Sequence, residues 1–131
     1  MAESEAFTKG RALRRELLGE AHADKLAKNL YDDPLMQKFA AHSTEAVFGL
    51  LWARPGLDLK TRSLIPIISD VAQARWPELE LHLRIARRQG GTEEELGEAI
   101  LHLAGYIGLP AVREGLLTAR AVFAELRKEE G

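Results

Sequence analysis

The sequence predicts an all-α protein of about six helices, on three observations. Helix-start residues recur ahead of apolar-periodic stretches, Gly and Pro fall where those stretches end, and strand signals are nearly missing. The first helical region is expected over residues 8–30, where Leu13, Leu17, Ala21, Leu26 and Leu30 form an approximate helical stripe. A second helix opens with Asp33 as N-cap and Pro34 at its first position. Phe39, Phe48 and Leu51 supply its apolar bulk, and Arg54–Pro55–Gly56 stops it. Asp58 is the expected cap of a third helix running to about Arg75, bent by Pro66 within it. Pro77 starts the fourth helix and Gly90–Gly91 ends it. Thr92 and Glu95 have capping-box spacing for a fifth, which runs to Tyr106 or Ile107 before Gly108. Pro110 begins the last helix, which frays in "RKEEG".

At 131 residues the chain fits a single domain, residues 1–131, with no linker, repeat or low-complexity segment. Apolar residues at 46% and charged residues at 29% are ordinary for a globular protein. A net charge of -2 offers no general attraction to nucleic acid or anionic lipid, so neither is an expected partner. No run approaches the length that spans a bilayer, and the acidic start "MAESEAFTKGRALRRELL" lacks the pattern of a secretory signal, so a cytoplasmic location is expected. Cysteine is absent, which removes disulfides, thiolate metal sites and thiol redox chemistry together. No nucleotide-binding, nucleophile-elbow or H-E-x-x-H pattern is present, so no cofactor or metal is expected.

The segments "WARPGLDLKTRSL", "ELELHLRIARRQGGTEEELGEAILHLAGYIGLPA" and "TARAVF" carry a resemblance from about Ala46 to Leu126. In order, spacing and residue type they resemble the carboxymuconolactone decarboxylase family, and "GRALRRELLGEAHADKLAKN" is similar to the N-terminal helix of its decarboxylase branch. The resemblance implies an alkylhydroperoxidase-like helical fold assembled into a homo-oligomer, a hexamer in preference to a trimer. It also implies cofactor-independent decarboxylation of 4-carboxymuconolactone or a related carboxylated lactone. The alternatives are a lyase or isomerase on another small carboxylate, or a non-catalytic binding protein that kept the fold. The alkylhydroperoxidase branch uses a C-x-x-C-x-x-x-H motif with a glutamate 19 residues before the histidine. Aligned on His82, those positions are occupied by Arg75, Glu78 and Ser63, so the peroxide-reducing cycle has no sulfur to run on.

His82 shares a helical side with Leu79, Leu83 and Ala86, as a packed core histidine would. The resemblance places the family's site histidine at this position, and an imidazole can donate a proton at neutral pH. A lactone with two carboxylates needs cations: Arg54, which follows Trp52, and Arg62, in the first turn of the third helix, are the candidates, since guanidinium grips carboxylates bidentately. The competing reading for Arg62 is a helix-surface pair with Asp58. The expected catalytic residues are therefore His82 and Arg62, with Arg54, Trp52, Arg113 and Tyr106 as substrate-binding residues. Two departures stand out: Ile107 replaces a cysteine and Arg113 an asparagine of the similar decarboxylase stretch. Glu98 and His102 share a face at i, i+4, too few groups for a metal site. Ser63, Asp70 and Gln73 are expected on a solvated side of the third helix, although Asp70 stands where relatives usually carry a small or apolar residue.

Overall fold

The computed structural model describes residues 3–130, and these contain helices and no strand. The all-α expectation holds, but the six expected helices become eight α-helices and one π-helical segment among the described residues. By contact density the chain divides into two compact units, one up to Leu57 and one from Asp58 onward.

In the first unit the expected helix over 8–30 is two helices, α1 (Glu5–Leu18) and α2 (Glu20–Asn29). They part at Gly19, whose φ of 85° lies in a region open to glycine and costly for other residues. The break resets the helical phase. Ala23 becomes the buried residue of α2, whereas Ala21 of the expected stripe faces outward. Arg15, in the last turn of α1, reaches across the break to Glu20 and to Asp24. Asp33 caps α3 (Pro34–Ser43) by accepting from the backbone N–H groups of Leu35 and Met36, as expected. From Thr44 to Trp52 the chain continues as a π-helix, closed by the Ala53 N–H donating to the Phe48 carbonyl at 3.2 Å. Its wider turn brings Thr44, Phe48 and Trp52 to the buried side. Phe39 and Leu51, expected as apolar bulk, are instead 58% and 56% exposed; for Leu51 the reason is that a 3.6-residue period does not carry through a π-helix. Side-chain-free backbones make the approach of α1 to this segment: a Cβ on Gly10 would collide with the Thr44 carbonyl, and one on Gly49 with that of Ala6.

The second unit opens with α4 (Leu59–Ala72), capped by the Asp58 carboxylate, which accepts from the Thr61 N–H at 2.7 Å and is thereby held below the ordinary carboxylate range. Pro66 is accommodated inside this one continuous helix. The helix stops three residues short of the expected Arg75. The Arg75 N–H returns to the Asp70 carbonyl (2.8 Å) and the Ala74 N–H to that of Val71 (3.2 Å). This paired closure puts Ala74 at φ 55°, a left-handed position seldom taken by a residue with a side chain. After it come α5 (Trp76–Arg88) and α6 (Glu93–His102), the latter begun by the complete Thr92–Glu95 capping box. The expected run to Tyr106 or Ile107 breaks at Leu103, leaving a separate short α7 (Ala104–Ile107). The last helix, α8 (Leu109–Glu130), begins one residue before Pro110 and stays helical through the expected fray; Gly131 lies outside the described residues.

Four helices share one core: Ile67 and Val71 of α4, Leu79, Leu83 and Ala86 of α5, Leu96 and Ile100 of α6, and Val112, Ala119, Val122 and Phe123 of α8. Gly115 lets α8 lie close against two of them, since a Cβ there would stand 3.2 Å from methyl groups of Ile100 and Val71. Gly97, on α6, has nothing within 4 Å of the corresponding position. These two glycines therefore predict opposite outcomes in thermal unfolding. Gly115→Leu should destabilise by about 1–3 kcal/mol through overpacking. Gly97→Ala should stabilise by up to about 1 kcal/mol through helix propensity. A rise in melting temperature for Gly115→Leu would contradict this packing.

Candidate active site

His82 lies in the middle of α5, and its helix is held from two sides. Leu79, Leu83 and Ala86, the neighbours at i−3, i+1 and i+4, are fully buried. Arg84 of the same helix donates to Glu125 (2.8 Å) and Glu129 (3.0 Å) of α8. Hydrogen bonding to Glu129 raises the Arg84 pKa, burial opposes the rise, and Glu125 adds to it. Three apolar anchors and an arginine paired with two glutamates thus fix the height and rotation of α5 around the imidazole.

The imidazole itself is not enclosed. Its side chain keeps 21% of its surface exposed, and Nδ1 lies 2.5 Å from Oδ2 of Asp70, on α4, whose side chain is only 7% exposed. The pair is arranged in depth, with the carboxylate behind and the ring in front. This corrects the expected solvated side of α4. Gln73 is exposed, but Ser63 and Asp70 are buried, and the Ser63 hydroxyl donates to the Lys60 carbonyl at 2.6 Å. The physical reason is helical phase: Ser63, Ile67 and Asp70 stand at i, i+4 and i+7, and Ile67 is fully buried. That spacing was present in the sequence, and the polar side chains at its two ends concealed it. Asp70 is the partner of His82 that the sequence reading had placed in solvent.

The other candidates are distributed. Arg62 is half-buried in the first turn of α4, where the Asp58 carboxylate is engaged with the Thr61 N–H. Trp52 and Arg54 belong to the first unit: Trp52 is buried with its ring stacked on Phe48 at 6.0 Å, and Arg54 is exposed in the turn that follows. Tyr106 is 77% exposed and lies against His102, ring centroids 5.7 Å apart, so His102 meets an aromatic ring and not Glu98. Arg113 is exposed, bonds to Glu114 at 2.8 Å, and lines an open groove of about 630 Å³ with Arg120, Leu101, Leu109, Leu116 and Leu117. Among the described residues no group of three or more His, Asp or Glu side chains is placed to hold a metal ion. What the geometry brings together is the His82 imidazole, partly exposed, and the buried Asp70 carboxylate behind it.

Comparison with known proteins agrees with the resemblance read from the sequence. The model of the carboxymuconolactone decarboxylase family matches residues 37–121. The 4-carboxymuconolactone decarboxylase of Acinetobacter baylyi is 38% identical over 126 residues, covering 96% of this chain and 92% of that protein. The nitrosuccinic acid decarboxylase of Metarhizium robertsii is 34% identical over 120 residues, covering 92% and 82%. An uncharacterised 15.0 kDa protein of Paracoccus denitrificans, encoded between nqo9 and nqo10, is 34% identical over 99 residues and 74% of each chain. With a family model spanning most of its length and relatives matched nearly end to end, the chain belongs to the carboxymuconolactone decarboxylase family.

Proposed function

We propose that the protein is a cofactor-independent decarboxylase of 4-carboxymuconolactone or a related carboxylated lactone, acting in the cytoplasm in aromatic-acid breakdown. The observation that carries this reading is the near-complete match to a 4-carboxymuconolactone decarboxylase. The accessible His82 supports it by supplying the one proton the reaction needs. When the substrate carboxylate leaves as carbon dioxide, its electron pair moves through the conjugated system onto the lactone oxygen. The dienolate carbon then takes a proton from the imidazolium of His82, and the neutral ring regains one from solvent. Arg62 is the cation assigned to the developing oxyanion. Trp52, Arg54, Tyr106 and Arg113 stand as substrate-binding candidates on residue chemistry and family position.

A second reading shares the mechanism and changes the substrate. The relative named for nitrosuccinic acid favours it. A nitro group, like a conjugated lactone, accepts the electron pair released with carbon dioxide and holds it on oxygen. The class common to both is a small carboxylate whose carboxyl-bearing carbon is connected to an oxygen-based electron acceptor. Assay of carbon dioxide release from the lactone and from a nitroalkanoic acid separates the two readings. Release from neither would refute both.

His82→Gln should lower turnover by about 10²–10⁴-fold while the fold survives, because the glutamine amide can still donate to Asp70. His82→Ala should also lose activity but melt lower, since it leaves a buried carboxylate without a donor. Activity, circular dichroism and melting temperature measured side by side check both, and an active His82→Gln enzyme would remove His82 from the chemistry. With no cysteine in the chain, hydroperoxide consumption in a dithiol-regenerating system should not exceed that of boiled protein.

The same proposal includes a homo-oligomer, a hexamer in preference to a trimer. Exposed apolar side chains support it: Ile65 and Ile68 on α4, and Leu101, Tyr106 and Leu109 around the α6–α8 junction. Light scattering at low micromolar concentration should show a mass several times the 14.5 kDa of one chain. A single species at the monomer mass would refute the assembly.

A further inference from the structure

We propose that Asp70 is a positioning residue that sets which nitrogen of His82 exchanges the proton: Nδ1 is turned inward and keeps its hydrogen, and Nε2 is the atom that serves the substrate. The use of that proton rests on the decarboxylase reading; how the ring is held does not.

Four observations lead there. The Asp70 backbone is fixed, because its carbonyl accepts the Arg75 N–H that closes α4. Its side chain, 7% exposed, reaches the next helix to place Oδ2 2.5 Å from Nδ1. An ionised carboxylate only accepts hydrogen bonds, so at this distance the hydrogen sits on Nδ1. Nε2 has no hydrogen-bond partner among the described residues, and no buried side-chain nitrogen or oxygen there lacks one, so Nε2 is open to solvent. The ring therefore has one held edge and one free edge.

This asymmetry defines the cycle. In the neutral ring Nδ1 carries the hydrogen and Nε2 a lone pair. Uptake of a solvent proton at Nε2 gives the imidazolium, to which Asp70 provides a counter-charge. Transfer of that proton from Nε2 to the substrate carbanion restores the neutral ring. Proton gain and loss occur at one atom, with no ring flip and no movement of the Nδ1 hydrogen. In the opposite tautomer, a neutral Nδ1 would face the carboxylate lone pair to lone pair, and the free edge would already be occupied.

The test is long-range proton–nitrogen correlation NMR on protein labelled with 15N in histidine, at a pH where the His82 ring is neutral. The wild-type ring should be in the Nδ1–H form. Asp70→Asn, whose amide can present either oxygen or NH₂, should shift His82 toward Nε2–H or a mixture. It should lower kcat about 10²-fold or more while KM stays within about threefold. Asp70→Glu, which keeps an acceptor-only group, should retain the Nδ1–H form. A wild-type Nε2–H tautomer would overturn the proposal, as would an Asp70→Asn enzyme unchanged in both tautomer and kcat. If Asp70→Asn does not fold, the wild-type and Asp70→Glu spectra still decide. If the tautomers behave as stated and no carboxylated substrate is turned over, the positioning role stands and the decarboxylase reading fails.

Discussion

A carboxylate taken out of water must be answered by a donor, and between α4 and α5 that donor is an imidazole. Asp70 is flanked by Val71 and stands one turn from Ile67, both fully buried, so solvation there is poor and an unpaired charge is costly. Its Oδ2 contact with His82 Nδ1 answers that cost, and in doing so ties the phase of α5 to the last turn of α4. The pair is weak evidence for stability, because an apolar pair of the same size could pack as well. Its consequence is specificity of orientation. The apolar side chains at Leu79, Leu83 and Ala86 fix where α5 lies, and Asp70 fixes how one ring on it is turned.

The turn behind Asp70 shows the same priority. Ala74 takes a left-handed φ of 55° that glycine would adopt more cheaply, by roughly 1 kcal/mol. In return α4 stops within four residues of Asp70, and the Arg75 N–H locks the Asp70 carbonyl. Strain and burial are thus concentrated at one corner, and the residue that both serve points at His82.

What could be read from the sequence was chemistry confined to three or four neighbouring residues. Asp33, Asp58 and the Thr92–Glu95 box are found capping because a cap needs only its own first turn. The helical side that His82 shares with Leu79, Leu83 and Ala86 was legible too, because it needs only the period of one helix. What escaped depended on longer-range conditions. Gly19 ends one helix and starts another at a φ of 85°, and Arg15 bridges the break to Glu20 and Asp24. The π-helix packs by close backbone approach at Gly10 and Gly49, which no apolar period records. Asp70 escaped because polarity usually reports solvent, and here it reports a partner twelve residues away. The phase of Ser63, Ile67 and Asp70 was the overruled clue.

The thiol chemistry of the alkylhydroperoxidase branch is closed to this chain, which has no cysteine. A peroxide-reducing site must store electrons, so it needs redox-active groups built into the protein. A decarboxylase of this kind stores none, because the substrate carries its own electron acceptor and asks for one proton and some positive charge. That modest requirement explains how a site of so few groups can suffice. It also explains how relatives matched over most of their length can be named for substrates as different as a lactone and a nitro acid. If the proton donor and its carboxylate are held by the helices of the second unit, substrate identity is left to the residues that line the approach. Ile107 and Arg113 lie outside the Asp70–His82 contact, and Arg113 is engaged with Glu114, so these two replacements leave the way the ring is held unchanged.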